Sequence, residues 1–192
     1  MEQYVKSQLQ NGEHILWSGT PSNVKLLEAP YTVGIVVRWV VAAALFAFCI
    51  WYLTFFPTVG VSSTQAVVIS VIIALIGVYL VVDPIHVVAK LKTQTFYCIT
   101  NQRVIACYKA RPMKMKFRTL DELDEISVEL LSTGCGNLYF GRKTKRSAKM
   151  ARVQFAMSEL QERDEKMPLV FYSVKDPEAV YNTLPAELSD IA

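Results

Sequence analysis

The sequence predicts a helical membrane hairpin followed by an α+β or all-β domain, seven short strands curled into a barrel or sandwich and capped by a C-terminal helix. Three observations predict it. No charged residue occurs from Trp39 to Val82, 44 positions in a row, where one membrane span needs about 20. Residues 1–89 hold only seven charged side chains and residues 90–192 hold the other thirty. From Gln94 onward the apolar period changes from helical to two, the mark of half-buried strands.

The 192 residues are 52% hydrophobic and 19% charged, with mean hydropathy +0.27, whereas soluble domains are typically about 25% charged. A net charge of +3 is too balanced to mark a nucleic-acid binder. The expected organisation is a cytoplasmic N-terminal segment over 1–30, a two-helix transmembrane hairpin over 31–91 and a cytoplasmic domain over 92–192.

The first span is placed near Tyr31 to Phe56 and the second near Ala66 to Val88, joined by the Pro-, Gly- and Ser-containing stretch Phe56 to Gln65, the composition of a surface turn. A secretory leader is not expected, because the first apolar run starts some thirty residues in and flows into a second span. Basic residues set the orientation. The connection holds none, while Lys25 and Arg38 precede the first span and Lys90 and Lys92 follow the second, so both termini are expected on the cytoplasmic side of the inner membrane. Tyr31 and Trp39 at one end, and Trp51, Tyr52, Phe55 and Phe56 at the other, fit the two interfaces. Arg38 and Asp83 reach similar depth in an antiparallel hairpin and are candidates for an intramembrane ion pair, although Arg38 also has the length to snorkel to headgroups. Ser70, Ala74 and Gly77 offer small residues for helix association.

In the back half, Gln94 to Thr100 and Arg103 to Lys109 read as a hairpin turning at Asn101-Gln102. Met113, Met115 and Phe117 alternate with Lys114, Lys116 and Arg118, so the apolar set is expected on the core and the charges in water. Ile126 to Leu130, Asn137 to Phe140 after Gly134-Cys135-Gly136, Val153 to Met157, and Leu169 to Val174 supply the remaining strands. Glu159 to Lys166 reads as a polar connection. Asp176-Pro177-Glu178 has the grammar of a helix start, continued by Val180, Tyr181, Leu184 and Leu188, with a kink or stop at Pro185.

At this point the sequence resembles a family. Gly12-Glu13-His14-Ile15-Leu16-Trp17-Ser18-Gly19-Thr20-Pro21 ahead of a two-span hairpin, then Tyr97-Cys98-Ile99-Thr100-Asn101-Gln102-Arg103-Val104-Ile105, Gly134-Cys135-Gly136-Asn137-Leu138, and Phe171 with Asp176-Pro177-Glu178-Ala179-Val180-Tyr181 look like the bacterial pleckstrin-homology-like domain membrane proteins. The order and spacing of these stretches around the spans carry the likeness, which covers nearly the whole chain. It implies a pleckstrin-homology-like fold on the cytoplasmic side of a bacterial membrane, and it brings no catalytic residues with it.

No nucleophile has the context of GxSxG, HExxH or GxxxxGK[ST], so the chain is expected to be neither an enzyme nor a cofactor binder. Four cysteines without a CxxC and two distant histidines, His14 and His86, make no zinc site. The acids Asp121, Glu122, Asp124 and Glu125 lack the loop pattern of a calcium site. Cys98 and Cys107 flank the hairpin turn and face each other in one register that the sequence leaves open. The informative residues are two basic sets, Lys109, Arg111, Lys114, Lys116 and Arg118, then Arg142, Lys143, Lys145 and Arg146, continued by Lys149 and Arg152. They are candidate contacts to an anionic lipid surface, each contributing about 1 kcal/mol when near it, or else an ordinary solvated face. The expected function is a non-catalytic membrane protein whose domain meets a protein partner, another copy of itself or anionic lipid. The alternative is a subunit of a transport or channel complex.

Overall fold

The computed structural model describes residues 1–55, 62–154 and 167–185. They form two compact units, Leu26–Val87 and Met1–Lys25 with Val88–Ala192. In chain order the elements are α1 (Glu2–Ser7), β1 (Ile15–Gly19), α2 (Thr32–Phe55), α3 (Ser63–Gln94), β2 (Thr95–Thr100), β3 (Arg103–Tyr108), β4 (Lys114–Thr119), β5 (Ile126–Leu130), β6 (Cys135–Phe140), α4 (Lys145–Met150), β7 (Leu169–Lys175) and α5 (Pro177–Tyr181).

The helical unit holds α2 and most of α3. Both helices are long and apolar enough to cross a membrane, since 24 residues already rise about 36 Å against a hydrocarbon core of about 30 Å. Apart from the Arg38–Asp83 pair, their outward faces carry residues such as Val33, Val40, Ile50, Leu75 and Tyr79, which sets them apart from amphipathic helices on a soluble core. Small residues bring the two together. Ala42 and Cys49 of α2 and Ala66, Ser70 and Gly77 of α3 are buried, the Cys49 thiol donates to the Ser70 carbonyl at 3.4 Å, and a Cβ on Gly77 would come within 2.9 Å of Phe46 Cζ. Pro84 lies inside α3, which continues through it to Gln94.

The other unit consists of two antiparallel sheets, ordered β1-β2-β3-β4 and β5-β6-β7. Tyr97, Ile99, Val104 and Ala106 of the first sheet share one core with Leu138, Phe140, Leu169 and Phe171 of the second, and Val180 and Leu184 join it from α5 and the turn after it. Tyr97 stacks on Phe171 at 4.5 Å and Phe140 meets the same ring edge-on at 4.7 Å. A second apolar cluster lies on the other face of the four-stranded sheet, where α1 lays Val5 over Phe96, Cys98, Ile105 and Cys107.

Four expectations are corrected. Residues 1–30 are not a separate segment. Trp17 to Gly19 pair with Ile99 to Tyr97, so residues 1–25 supply β1 and the helical hairpin is an insertion between two neighbouring strands of one sheet. In β4 the alternation runs the other way round: Lys114, Lys116 and Arg118 stand opposite Tyr108, Ala106 and Val104, on the side of the main core. Met113 and Met115 border the outer cluster, and Phe117 is 50% exposed. The edge position permits this, because a long basic side chain can lay its stem over apolar surface and carry its charge past the sheet edge. Residues 145–154 form α4, capped by the reciprocal Thr144–Ser147 box, and a turn, so no strand begins at Val153; 155–157 and the connection 159–166 lie outside the described residues. Asp176 precedes α5 with φ 48° and makes no side-chain cap, and α5 ends at Tyr181, four residues before Pro185; Leu188 lies outside the described residues.

Candidate functional site

The chain leading from β1 toward α2 is fastened to β7, an edge strand of the three-stranded sheet. Ser173, held at φ 53° within β7, donates its N–H to Asn137 Oδ1 at 2.9 Å and its hydroxyl to the Ser22 carbonyl, and Ser22 N–H returns a bond to the Ser173 carbonyl at 2.7 Å. Arg152, buried in spite of its charge, donates Nε to the Tyr172 hydroxyl at 2.8 Å and Nη2 to the Lys25 carbonyl at 2.7 Å. The expected exposed cation is therefore a structural strut. Gln154 does similar work, bonding Pro168 O and Val170 N–H at 3.0 and 3.1 Å.

At the opposite sheet, Glu13 and Arg103 form a dry ion pair. Arg103 Nε and Nη2 donate to the two carboxylate oxygens at 2.8 and 2.9 Å, the side chains being 6% and 0% exposed. Thr100 Oγ1 and Gln10 N–H also bond the carboxylate, each at 2.8 Å. Burial pushes the Glu13 carboxyl up, but Arg103, Gln10 and Thr100 outweigh it and hold the group below its ordinary range. Asn101, expected only as a turn residue, accepts from His14 N–H at 2.9 Å and donates to Gly12 O at 3.2 Å. These partners lie some 90 positions apart in the sequence, and no local signal marks them.

The two basic sets fall at two clefts. Lys109 and Lys114 line one, of about 340 Å³, together with Lys90, Gln94, Thr95 and Tyr108. Arg111 is exposed on the β3–β4 turn. Arg118, Arg142 and Lys143 line the other, of about 500 Å³, with Glu122, Asp124, Thr144, Met167 and Pro168. There the charge is balanced: Lys143 pairs with Glu129 at 3.0 Å, Arg118 Nη2 donates to Met167 O at 3.1 Å, and two acids share the lining. Lys116 Nζ donates to Gln154 O at 2.6 Å. Lys145, Arg146 and Lys149 stand exposed on α4. Glu129 also accepts from the Tyr139 hydroxyl at 2.6 Å and from Asn137 at 3.3 Å; burial raises its carboxyl and these donors with Lys143 lower it further, for a net downward shift.

In the helical unit Arg38 Nη1 lies 2.8 Å from Asp83 Oδ2. Cys98 and Cys107 share a face in diagonal rather than opposite positions, because Cys98 pairs with Ile105 and Cys107 with Phe96. Burial, with Glu13 and Cys107 nearby, pushes the Cys98 thiol up to about 12, which keeps it protonated and unreactive. Among the described residues no three His, Cys, Asp or Glu side chains converge as a metal site. Compared with family models, curated proteins and solved structures, the chain matches none.

Proposed function

We propose that the chain is a non-catalytic integral membrane protein of the bacterial pleckstrin-homology-like kind. Its hairpin anchors a cytoplasmic domain to the inner membrane, and the domain's basic face rests on the anionic leaflet. The observation that carries the reading is the insertion of the hairpin between β1 and β2. Those strands are hydrogen-bonded to each other, which supports a hairpin with both ends on one side of the bilayer, the side that Lys25, Lys90 and Lys92 favour. α3 passes into β2 with no linker, Gln94 being helical and Thr95 a strand residue. The absence of a linker supports a domain tethered near headgroups, where lysines and arginines contribute most.

The test is amide exchange on the full-length protein reconstituted in neutral and in phosphatidylglycerol-containing vesicles. Protection of 109–118 and 142–149 that appears only with the anionic lipid, and falls with rising salt, supports the reading. Equal exchange in both vesicles refutes lipid docking and directs the search to protein partners or self-assembly, by crosslinking in the native membrane.

A second reading, a transport or channel subunit, is favoured by the Arg38–Asp83 pair at 2.8 Å, since an ionisable pair in a span is by default a functional feature. Flux through reconstituted protein that disappears in Asp83→Asn supports it, and a silent bilayer refutes it.

A further inference from the structure

The cleft at the start of β2 differs in charge from the rest of the basic surface. Lys90 stands on the last turns of α3, Lys109 follows β3 and Lys114 opens β4, and no carboxylate lines the cleft among the described residues. All three lysines are exposed. Strand register explains how they meet. Thr95 pairs with Tyr108, and Tyr108 with Lys114, so these three residues form one row across β2, β3 and β4, with Thr95 and Tyr108 as a floor. Lys109 is next to this row because its own N–H closes the β2–β3 ladder onto the Gln94 carbonyl at 2.8 Å.

Two costs are left open in this arrangement. Three like charges gathered at one concavity repel one another. The Thr95 hydroxyl, on a residue 1% exposed, has no hydrogen-bond partner, in contrast to the great majority of buried polar groups. An anion with several acceptor oxygens meets both, by neutralising the ammonium groups and accepting from the hydroxyl. Lysine suits such a ligand as a point charge with rotatable donors, and phosphate is the common case.

We propose that this cleft binds the phosphate of an anionic phospholipid headgroup in the leaflet that α3 leaves, with Lys90, Lys109 and Lys114 on its oxygens and Thr95 beneath. The lipid source follows from position: Lys90 comes two residues after Val88, where the apolar run of α3 ends. The inference rests on the reading of the hairpin as a membrane anchor. It is separate from the α4 face, whose cations serve there only as a diffuse surface.

The experiment is native mass spectrometry of the full-length protein in a neutral detergent, titrated with phosphatidylglycerol, with phosphatidic acid, with phosphatidylcholine and with inorganic phosphate. One retained anionic-lipid adduct, with none from phosphatidylcholine, is the expected result. The triple variant Lys90→Gln, Lys109→Gln, Lys114→Gln weakens it about 100-fold, at roughly fivefold per lysine, and Thr95→Val weakens it by about fivefold, the worth of one hydrogen bond. Arg142→Gln, Lys145→Gln, Arg146→Gln leaves it unchanged. The single variant Lys109→Glu, at an exposed position, gives the same sign and holds if the triple variant does not fold. Retention of the adduct by the triple variant with loss in the α4 variant overturns this site and keeps the basic-face reading. Retention of no anionic lipid by the native protein overturns this site, while the basic-face reading stands or falls on the exchange experiment in vesicles. Inorganic phosphate bound as tightly as the lipid overturns the headgroup as source, and a silent Thr95→Val removes the hydroxyl from the site.

Discussion

Two arginine–carboxylate pairs in this protein have the same length and opposite surroundings. Arg103–Glu13 and Arg38–Asp83 both close at 2.8 Å. The first is dry, bidentate and backed by Thr100, Gln10 and Gln8, whose carbonyl accepts from Arg103 Nη2 at 2.8 Å. Phe117 shields it further, its ring 5.0 Å from the guanidinium carbon. The second joins single atoms of side chains that are 50% and 30% exposed on the hairpin. Distance does not rank them. A buried pair is held by the donors that complete each partner's bonding, and the removal of one partner strands the other charge away from water. An open pair can exchange its partner for water.

The largest effect that sharpens this comparison is therefore expected at the dry pair. Arg103→Ala destabilises the β unit by about 3–5 kcal/mol, read from chemical denaturation of the full-length protein in detergent by the fluorescence of Trp17. Stability unchanged by that substitution breaks the comparison. Next is Gly136→Ala, at about 1–3 kcal/mol, because its Cβ would meet Pro177 Cγ at 2.6 Å and the Glu129 carbonyl at 3.0 Å; the same denaturation curve shows it. Lys143→Met removes the half-exposed partner of Glu129 and costs up to about 1 kcal/mol. Smallest is Asp83→Asn, at about 0.6 kcal/mol, the average for polar contacts between helices in a bilayer, measured by a double-mutant cycle with Arg38→Gln.

Acid probes the hydrogen-bonded carboxylates of the β unit without mutation. Glu13 titrates below its ordinary 4.5 in the folded protein, so its contribution is complete above that value and is lost as pH falls through the folded pKa. Glu129 has the same sign. Melting temperature is expected to hold from neutral pH to about 4.5 and then fall, and Glu13→Gln is expected to start lower and fall less.

The sequence was most readable where its signals are local. The uncharged run from Trp39 to Val82 places α2 and α3 to within a few residues at most of their ends, α3 extending to Gln94 rather than Val88. The β2–β3 hairpin turns at Asn101-Gln102 as its polar dipeptide suggests. Legibility failed where partners are remote. Ile15 to Gly19 is too short to show a period, and its partner strand lies beyond the whole hairpin. β4 shows a clean alternation, but alternation says only that two faces differ; with apolar surface on both sides of the sheet, it does not say which face is the core. Arg152 reads as one more cation of a basic stretch until Tyr172 and the Lys25 carbonyl stand beside it. Lys90 was informative only for orientation, because its meeting with Lys109 and Lys114 is a product of register.

The placement of the hairpin between β1 and β2 also sets the order of events at the ribosome. β1 leaves the exit tunnel before either apolar helix, and β2 after both. Until α3 has been made, β1 lacks the strand that completes its ladder, and the sheet cannot close. Were the proposed hairpin threaded with a single crossing, its first two strands would stand on opposite sides of the bilayer and could not pair. Under the proposed membrane anchoring, only a hairpin with both ends on one side lets β1 and β2 pair.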